Sequence, residues 1–253
     1  MSAGPRGYLV DVAVHIGTSG WSYDHWRDVL YPPGLPAGSR LARYTEEFDT
    51  VELNASFYRW PRDDTFAGWR DRLPPGFQLS VKAPRGLTHA RRLRSPEDWA
   101  ERIARAWDVL RDRSGAVLVQ LHPAQERDDA RLDHFLNVVP ERVRLALELR
   151  HPSWDDPAVY DLLERHRAAY VVMSGAGMPC VLKATSDLVY VRWHGPDDDV
   201  LYAGSYTDDD LSWWAQRIAE WTGQGRNVLG YFNNDGHGHA VRNAWTLRRL
   251  LGA

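Results

Sequence analysis

The chain alternates short β-branched runs with helical segments, and this pattern constrains its fold more than any other feature. The runs recur at roughly 30-residue intervals, which is the spacing of βα units in a parallel sheet. Eight such runs occur. They predict strands at 12–17, 50–54, 78–82, 116–121, 144–149, 169–173, 188–193 and 228–232.

Amphipathic segments separate most of these runs and predict the helices. Ser39 opens one segment, Asp63 is expected to cap another, and Ser95 begins a capping-box pattern before a longer one. The stretch SGAGMPCVLKATSD after the sixth strand is rich in Gly and turn residues, so the sixth helix is predicted to be short or missing. The pattern as a whole predicts an α/β protein, a TIM-like (β/α)8 barrel forming a single domain over residues 1–253. A doubly wound open sheet shares the alternation and is the alternative fold.

Composition argues against several classes of protein. The formal net charge of −3 argues against a surface coated with nucleic acid, although it leaves room for a local basic cleft. A single cysteine, Cys180, allows no intrachain disulfide and fits a reducing cytoplasm. The first residues show no charged segment followed by a long apolar run, so neither a signal peptide nor a transmembrane span is predicted. We therefore expect a cytoplasmic protein with no membrane partner.

The alternation within each strand predicts which side chains face the barrel interior. If the large aliphatic residues face the helices, the polar residues between them face inward. The last strand is ambiguous, since either Tyr231 and Asn233 or Phe232 and Asn234 could face inward. The inward polar set of the other strands is His15, Glu52, Asn54, Ser80, Lys82, Gln120, Glu148, Arg150, Tyr190, Arg192 and His194.

This inward set has two interpretations. Buried charges are costly unless they pair with each other, with a ligand or with water. Barrel enzymes keep their sites at the C-terminal strand ends, where several of these residues fall, so a ligand site is one interpretation. The other is a paired polar plug that fixes the strand register. The inward cations outnumber the inward carboxylates, and the next loop adds His89 and several arginines, so a ligand would be an anion such as a phosphate or a carboxylate.

Six segments resemble one known family. GTSGWSYDHWRDVLYP, FDTVELNASFYRWP, VKAPRGLTHARRL, LELRHPSW, VRWHG and YFNNDGHGHAVRNA follow one another between Ile16 and Leu251 and resemble domain-of-unknown-function family 72, the YecE-like proteins. The resemblance implies a TIM-like barrel with a polar groove at the C-terminal strand ends, and it implies no particular reaction. The family is similar in general form to sugar isomerases and to barrel endonucleases, and this similarity is an analogy of fold alone. Two positions depart from the family pattern: Ser174 replaces an Asp that usually ends strand six, and His122 stands in QLHP where QLPP is usual.

The stretch YFNNDGHGHAVRNA, which links the last strand to the last helix, leaves three interpretations open. Its glycines and helix start suit a phosphate, an Asn/Gly turn needs no ligand, and carboxylate and histidine side chains suit a metal ion. The ligands of such a metal would be His194, Glu148, Asp235 and either His237 or His239. Because the spacing matches no specific metal signature, no metal ligand is assigned, and no cofactor is indicated.

The first functional hypothesis is an enzyme that acts on a small anionic, sugar-like substrate, of isomerase or lyase type. Glu52, Glu148, His194 and Lys82 are the catalytic candidates. Lys82 is expected to pair with Glu52 or Glu148, which is simpler than a Schiff-base role. The predicted substrate contacts are Asn54, Tyr58, His89, Gln120, Arg150, Trp154, Arg192, Asn233 and Asp235.

Two alternatives belong to other classes. Loop arginines between Arg85 and Arg94, together with tryptophans after strand ends, favour a metal-dependent enzyme that cleaves phosphodiesters in nucleic acid. The strand-end tryptophans are Trp21, Trp26, Trp60 and Trp154. A single tryptophan of this kind most often packs the core, whereas four at one rim favour a stacking platform for a sugar or a base. The missing strand-six acid favours a non-catalytic protein that binds a metabolite.

Overall fold

Eight parallel strands form a closed barrel in the computed structural model, which describes residues 12–175, 177–197 and 199–252. The N-terminal segment 1–11, part of the region without a predicted signal peptide, lies outside this description. Neighbouring strands follow chain order, and the last strand pairs with the first. The strands are β1 Val14–Ser19, β2 Thr50–Leu53, β3 Gln78–Lys82, β4 Ser114–Gln120, β5 Leu145–Glu148, β6 Ala169–Ser174, β7 Leu188–Trp193 and β8 Asn227–Phe232.

Helices surround the barrel. The α-helices are α1 Arg40–Thr45, α2 Ala55–Tyr58, α3 Asp63–Arg70, α4 Glu97–Leu110, α5 Asp129–Val138, α6 Pro157–Arg165, α7 Asp208–Gly223 and α8 His239–Leu251. Between β6 and β7, residues 175 and 177–187 contain no helix. This confirms the prediction that the helix after the sixth strand is missing. Within the described ranges, every helix is too short or too polar to cross a lipid bilayer.

The predicted barrel is confirmed, and the open sheet is excluded by the pairing of β1 with β8. All predicted strand ends agree with the structure to within two residues. The largest shift is at β1, which starts and ends two residues later than predicted, because Thr18 and Ser19 still pair with Val51 and Glu52 of β2. The shift adds Ser19 to the barrel mouth, where its hydroxyl donates to Glu52.

Two predicted helix caps are wrong. Ser95 has a φ of 44°, in the left-handed region, so it lies before the helix and α4 begins at Glu97 without a side-chain cap. Asp63 is the first residue of α3 rather than its cap, and it places a carboxylate in the positively polarised first turn. Both helices are oriented by the apolar faces that they bury, which include Phe66 and Ile103.

The barrel interior changes in character from one end to the other. Its lower and middle layers are mostly apolar, with Leu118, Val171 and Leu229 among their buried residues. Tyr231 faces inward on β8, which settles the ambiguous strand, and its hydroxyl bonds Thr50 at 2.7 Å and Ser80 at 2.8 Å. Above this hydroxyl layer the interior becomes charged, so the fold concentrates its ionisable groups at the C-terminal mouth.

Candidate functional site

A fully buried ion network lies at the centre of the barrel mouth. Arg192 on β7 donates from Nε and Nη2 to Glu52 on β2, at 3.0 and 2.7 Å. Its Nη1 donates to Glu148 on β5 at 2.5 Å. All three side chains have zero exposure. One guanidinium therefore joins two carboxylates from opposite sides of the barrel.

Both oxygens of Glu52 are occupied within the protein. Tyr190 donates its hydroxyl to Oε2 at 2.7 Å, and the Ser19 hydroxyl donates to Oε1. These bonds add to the two from Arg192. Ser19 is a residue of the site that sequence reasoning missed, because the first strand was predicted to end at residue 17. With these four bonds Glu52 has a bracing role and offers little room to a substrate.

Glu148 is held in its ionised form. Its Oε1 accepts hydrogen bonds from Gln120 at 2.8 Å and from Arg150 Nε at 2.6 Å. Burial alone would raise the pKa of Glu148, but the positive charges of Arg192 and Arg150 outweigh burial and hold that pKa well below its usual range. The group is therefore a carboxylate throughout the neutral range and a weak base.

His194 lies near the same carboxylate without bonding it. Its Nδ1 accepts from the Asn233 amide at 3.2 Å, which leaves the ring proton on Nε2. Burial, followed by the charge of Arg192, holds the pKa of His194 well below its usual range, so the ring is neutral. Nε2 lies 3.9 Å from Glu148 Oε1 and is buried without a hydrogen-bond partner in the described part of the chain.

Lys82 lies beside the ion network but makes no ion pair with it. Its Nζ lies 4.5 Å from the centre of the Phe57 ring. No carboxylate among the described residues lies within 4.0 Å of it, so the expected ion pair with Glu52 or Glu148 is absent; both carboxylates are engaged by Arg192. Burial, followed by the charge of Arg192, lowers the pKa of Lys82 to about 8. This cation is the most readily deprotonated one at the mouth.

Three further predicted contacts border the mouth. His89 packs its ring against Phe57, at a centroid distance of 4.9 Å, and against His122, at 5.2 Å. Burial, then the charges of His122 and Lys82, lower the pKa of His89 to about 4. Asn54 keeps a buried Oδ1 that has no partner across the residues described. Arg150 likewise keeps a buried Nη2 with no partner in those ranges, beside its bond to Glu148.

Other predicted contacts lie elsewhere. Trp154 is 1% exposed and donates its indole N–H to the Gln125 carbonyl at 2.8 Å, so it packs the core instead of offering a stacking face. Tyr58 is 82% exposed and outside the ion network. Trp26 is also fully buried, and its indole N–H donates to the Asp235 carbonyl at 3.0 Å. The expected platform of four rim tryptophans is therefore reduced to Trp21 and Trp60, both partly buried in the core.

The stretch after β8 serves largely as a structural junction. Asn234 donates to the Gly204 carbonyl at 3.0 Å and to Asn243 of α8 at 2.9 Å. Gly238 precedes α8 with a φ of 75° and lies so close to Val29 that a Cβ would approach it to 3.0 Å. Across the ranges that the structure describes, no three His, Cys, Asp or Glu side chains lie close enough together to hold a metal ion.

Comparison with known proteins gives a consistent result. Residues 15–253 match the family described as "Protein of unknown function DUF72". The UPF0759 protein YunF of Bacillus subtilis (strain 168) is 30% identical over an alignment 273 positions long, which covers 94% of each chain. The UPF0759 protein YecE of Escherichia coli (strain K12) is 28% identical over 143 residues, covering 56% of this chain and 50% of that protein.

Solved structures agree with the barrel. A DUF72 family protein from Thermotoga maritima superposes with a TM-score of 0.86 at 27% identity, covering 95% of this chain and 100% of that one. A DUF72 family protein from Enterococcus faecalis gives a TM-score of 0.79 at 19% identity, covering 95% and 96%. The second likeness supports the fold alone.

Proposed function

Because this chain belongs to the DUF72 family of proteins of unknown function, we infer its function from the barrel mouth itself, as an enzyme that acts on a small anionic substrate. The observation that carries this proposal is a group of three nitrogens with unused hydrogen-bonding capacity. Arg150 Nη2 and His194 Nε2 are buried without a hydrogen-bond partner in the described ranges. Lys82 Nζ lies against the Phe57 ring and has no carboxylate within 4.0 Å among the same residues. Buried donors are normally paired, so the grouping of these nitrogens at the barrel mouth favours a ligand site over a plug that only fixes strand register.

The charges of the mouth favour an anion. Lys82, Arg150 and Arg192 carry three positive charges when protonated, against the two negative charges of Glu52 and Glu148. A carboxylate or phosphate would offset the surplus charge and would accept hydrogen bonds from the unsatisfied donors. Arg150 and Lys82 are the residues we assign to that contact, since their free atoms lie beside the ion network.

Arg192 receives a different role from the one expected at first. Its side chain is completely buried, and each of its three nitrogens already bonds a carboxylate. Contact with an anion would require one of these bonds to break. We therefore assign Arg192 to bracing Glu52 and Glu148 across the barrel, which fixes the position of Arg150 through their shared carboxylate.

The proton chemistry follows from the same contacts. Glu148 is stabilised as a carboxylate and is a poor proton acceptor, whereas Lys82 titrates close to neutral pH. We assign proton transfer to Lys82. His194, with its proton on Nε2, would donate a hydrogen bond to a substrate oxygen as negative charge develops there. This combination suits an isomerase or lyase acting on a sugar phosphate or sugar acid, whose carbonyl lies near an anionic group.

Anion binding can be tested by thermal melting. Phosphate and sulfate, exchanged for KCl at constant pH and ionic strength, should raise the melting temperature of the wild type. Arg150→Lys keeps the charge but loses the Nη2 donor, and should weaken the binding about tenfold. Arg142→Lys, at the opposite end of the barrel, is the matched control. Equal responses in all three proteins would remove the proposed site.

The second candidate is an enzyme that cleaves nucleic acid. It is favoured by the exposed arginines after β3, which are Arg85, Arg91, Arg92 and Arg94. Since the described residues bring no three metal ligands together, we assign no metal-dependent step. Affinity for DNA or RNA that falls steeply with salt would support this candidate, and so would its loss when Arg91 and Arg94 are changed to Gln.

A metabolite-binding protein without turnover is the remaining alternative. It would show the same melting response to anions. Prolonged incubation of the captured ligand with the wild type, followed by mass spectrometry, separates the two: an unchanged ligand supports binding alone, and a product supports the enzyme.

A further inference from the structure

The chain contains only two lysines among 31 basic Lys and Arg residues, and one of them lies in the barrel mouth. Lys183 pairs with Glu164 at 3.4 Å on a partly exposed surface. Lys82 ends β3, faces inward and is only partly accessible. Arginine supplies almost all the other positive charges. The position of Lys82 is therefore one where an amine can do something that a guanidinium cannot.

An amine differs from a guanidinium in that it loses its proton readily when buried near other cations. Lys82 has such surroundings: the Phe57 ring on one side, and Arg192 and Arg150 within range of its charge. Glu52 and Glu148 counteract these cations, yet neither approaches within 4.0 Å in the described part of the chain. A neutral amine at this position is a nucleophile.

We propose that Lys82 forms a Schiff base with an aldehyde or ketone that also carries a carboxylate or phosphate. The anionic part of this inference rests on the proposed function, whereas the covalent step rests on Lys82 itself. The Nζ lone pair adds to the carbonyl carbon, and the carbonyl π electrons move to oxygen. The nitrogen, now positively charged, gives one proton to that oxygen. The proton that Lys82 gave up on becoming an amine, returned by solvent, is the second, and the oxygen leaves as water. Overall, one ammonium and one carbonyl give one iminium ion and one water.

The neighbouring residues fit this step. Arg150 offers its free Nη2 to the anionic group of the substrate, and His194 offers Nε2–H to the carbonyl oxygen before it leaves. The two side chains approach the same carboxylate oxygen, since Arg150 Nε is 2.6 Å and His194 Nε2 is 3.9 Å from Glu148 Oε1. The iminium would then withdraw electrons from the adjacent carbon, as an isomerase or lyase requires.

Reductive trapping tests the proposal. The wild type is incubated with sodium cyanoborohydride and one of three probes: pyruvate, glycolaldehyde phosphate, or acetone, which lacks an anionic group. Cyanoborohydride transfers hydride to an iminium carbon and leaves a stable secondary amine. Peptide mapping by mass spectrometry then reads modification separately at Lys82, Lys183 and the N-terminal amine, so the chain carries its own reference amines.

We expect Lys82 to be modified by pyruvate or glycolaldehyde phosphate at least tenfold faster than Lys183, and to react with acetone more slowly than with the anionic probes. Lys82→Arg should lose this adduct while remaining folded, whereas Lys183→Arg should keep it.

Equal labelling of both lysines, or no Lys82 adduct with any probe, would overturn the Schiff-base role. If Lys82 stays unmodified while phosphate still raises the melting temperature, the covalent step fails and anion binding survives. If Lys82 reacts equally with acetone and phosphate has no effect on melting, the covalent step survives and the anion site fails.

Discussion

Lys82 Nζ lies 4.5 Å from the centre of the Phe57 ring, and this contact stands where an ion pair was expected. A cation–π contact of this kind stabilises an ammonium by only about 0.5–2 kcal/mol. It does not offset burial and the repulsion from Arg192, so the pKa of Lys82 falls to about 8. The contact thus keeps Lys82 in place while leaving its proton easy to remove.

The first prediction concerns how stability depends on pH. The folded-state pKa of Lys82 is about 8, below the unfolded value of about 10.4. Between these values the unfolded chain holds one more proton, so the free energy of unfolding should rise with pH. Relative to Lys82→Met, which does not titrate, the wild type should gain about 2 kcal/mol as the pH rises from 7 to 9.5.

Urea unfolding of the two proteins at several pH values measures this difference. Groups that titrate alike in both proteins contribute equally to both free energies of unfolding, so their contributions cancel in the difference. The charges that act on Lys82 in the wild type are those of Arg192, Glu148, Glu52 and Arg150. Lys183→Met serves as the control, and its difference from the wild type should not rise in the same way. A flat or falling difference for Lys82→Met would show that Lys82 stays an ordinary ammonium group.

The second prediction tests the bracing role of Arg192. Arg192→Leu leaves Glu52 and Glu148 buried without their shared cation, and should lower the free energy of unfolding by about 3–5 kcal/mol. Adding Glu148→Gln to this variant should recover part of the loss, since one uncompensated carboxylate disappears. Arg142→Leu, which breaks an exposed pair with Asp108, should have a much smaller effect. Similar losses for the two arginine variants in chemical unfolding would contradict the brace.

The recurrence of βα units at roughly 30-residue intervals located the barrel, and the two-residue period within each strand located the inward charges. The same reasoning placed Glu52, Glu148 and Arg192 on the inner face, where the structure has them fully buried. Which of them pair could not be read from the sequence, since a side chain several ångströms long can reach more than one strand. Arg192 engages both glutamates, and Lys82 is left without a carboxylate partner in the described ranges.

Residues outside the strands were harder to place. A position after a strand end does not specify whether a large side chain turns toward the mouth or into the core. Trp154 turns into the core, where its indole N–H finds the Gln125 carbonyl, whereas Tyr58 projects into solvent. Ser19 was missed for a different reason, since the first strand was predicted to end at residue 17 although it continues to Ser19.

The third prediction separates packing from ligand contact at these two positions. Trp154→Phe removes the indole donor and leaves the Gln125 carbonyl unsatisfied, which should lower the free energy of unfolding by about 1–3 kcal/mol. Tyr58→Ala should cause no measurable loss. Neither change should alter the phosphate-dependent rise in melting temperature. A loss of that response in Trp154→Phe, with stability intact, would return Trp154 to the ligand site.

The last prediction uses opposite charges to locate Lys82 in the network. Glu148 raises the pKa of Lys82 and Arg150 lowers it, after the larger effects of burial and Arg192. Glu148→Gln should therefore lower the pKa of Lys82 further, and Arg150→Gln should raise it. Competitive acetylation at several pH values, read by mass spectrometry at Lys82 with Lys183 as the internal reference, measures both shifts. Glu148→Gln is isosteric and Arg150→Gln shortens the side chain, so a change in packing alone predicts no systematic opposition. Shifts in the same direction would mean that Lys82 responds to a general loosening of the mouth. Opposite shifts would show that its amine senses the charges of Glu148 and Arg150 directly, as a group that shares a substrate with them must.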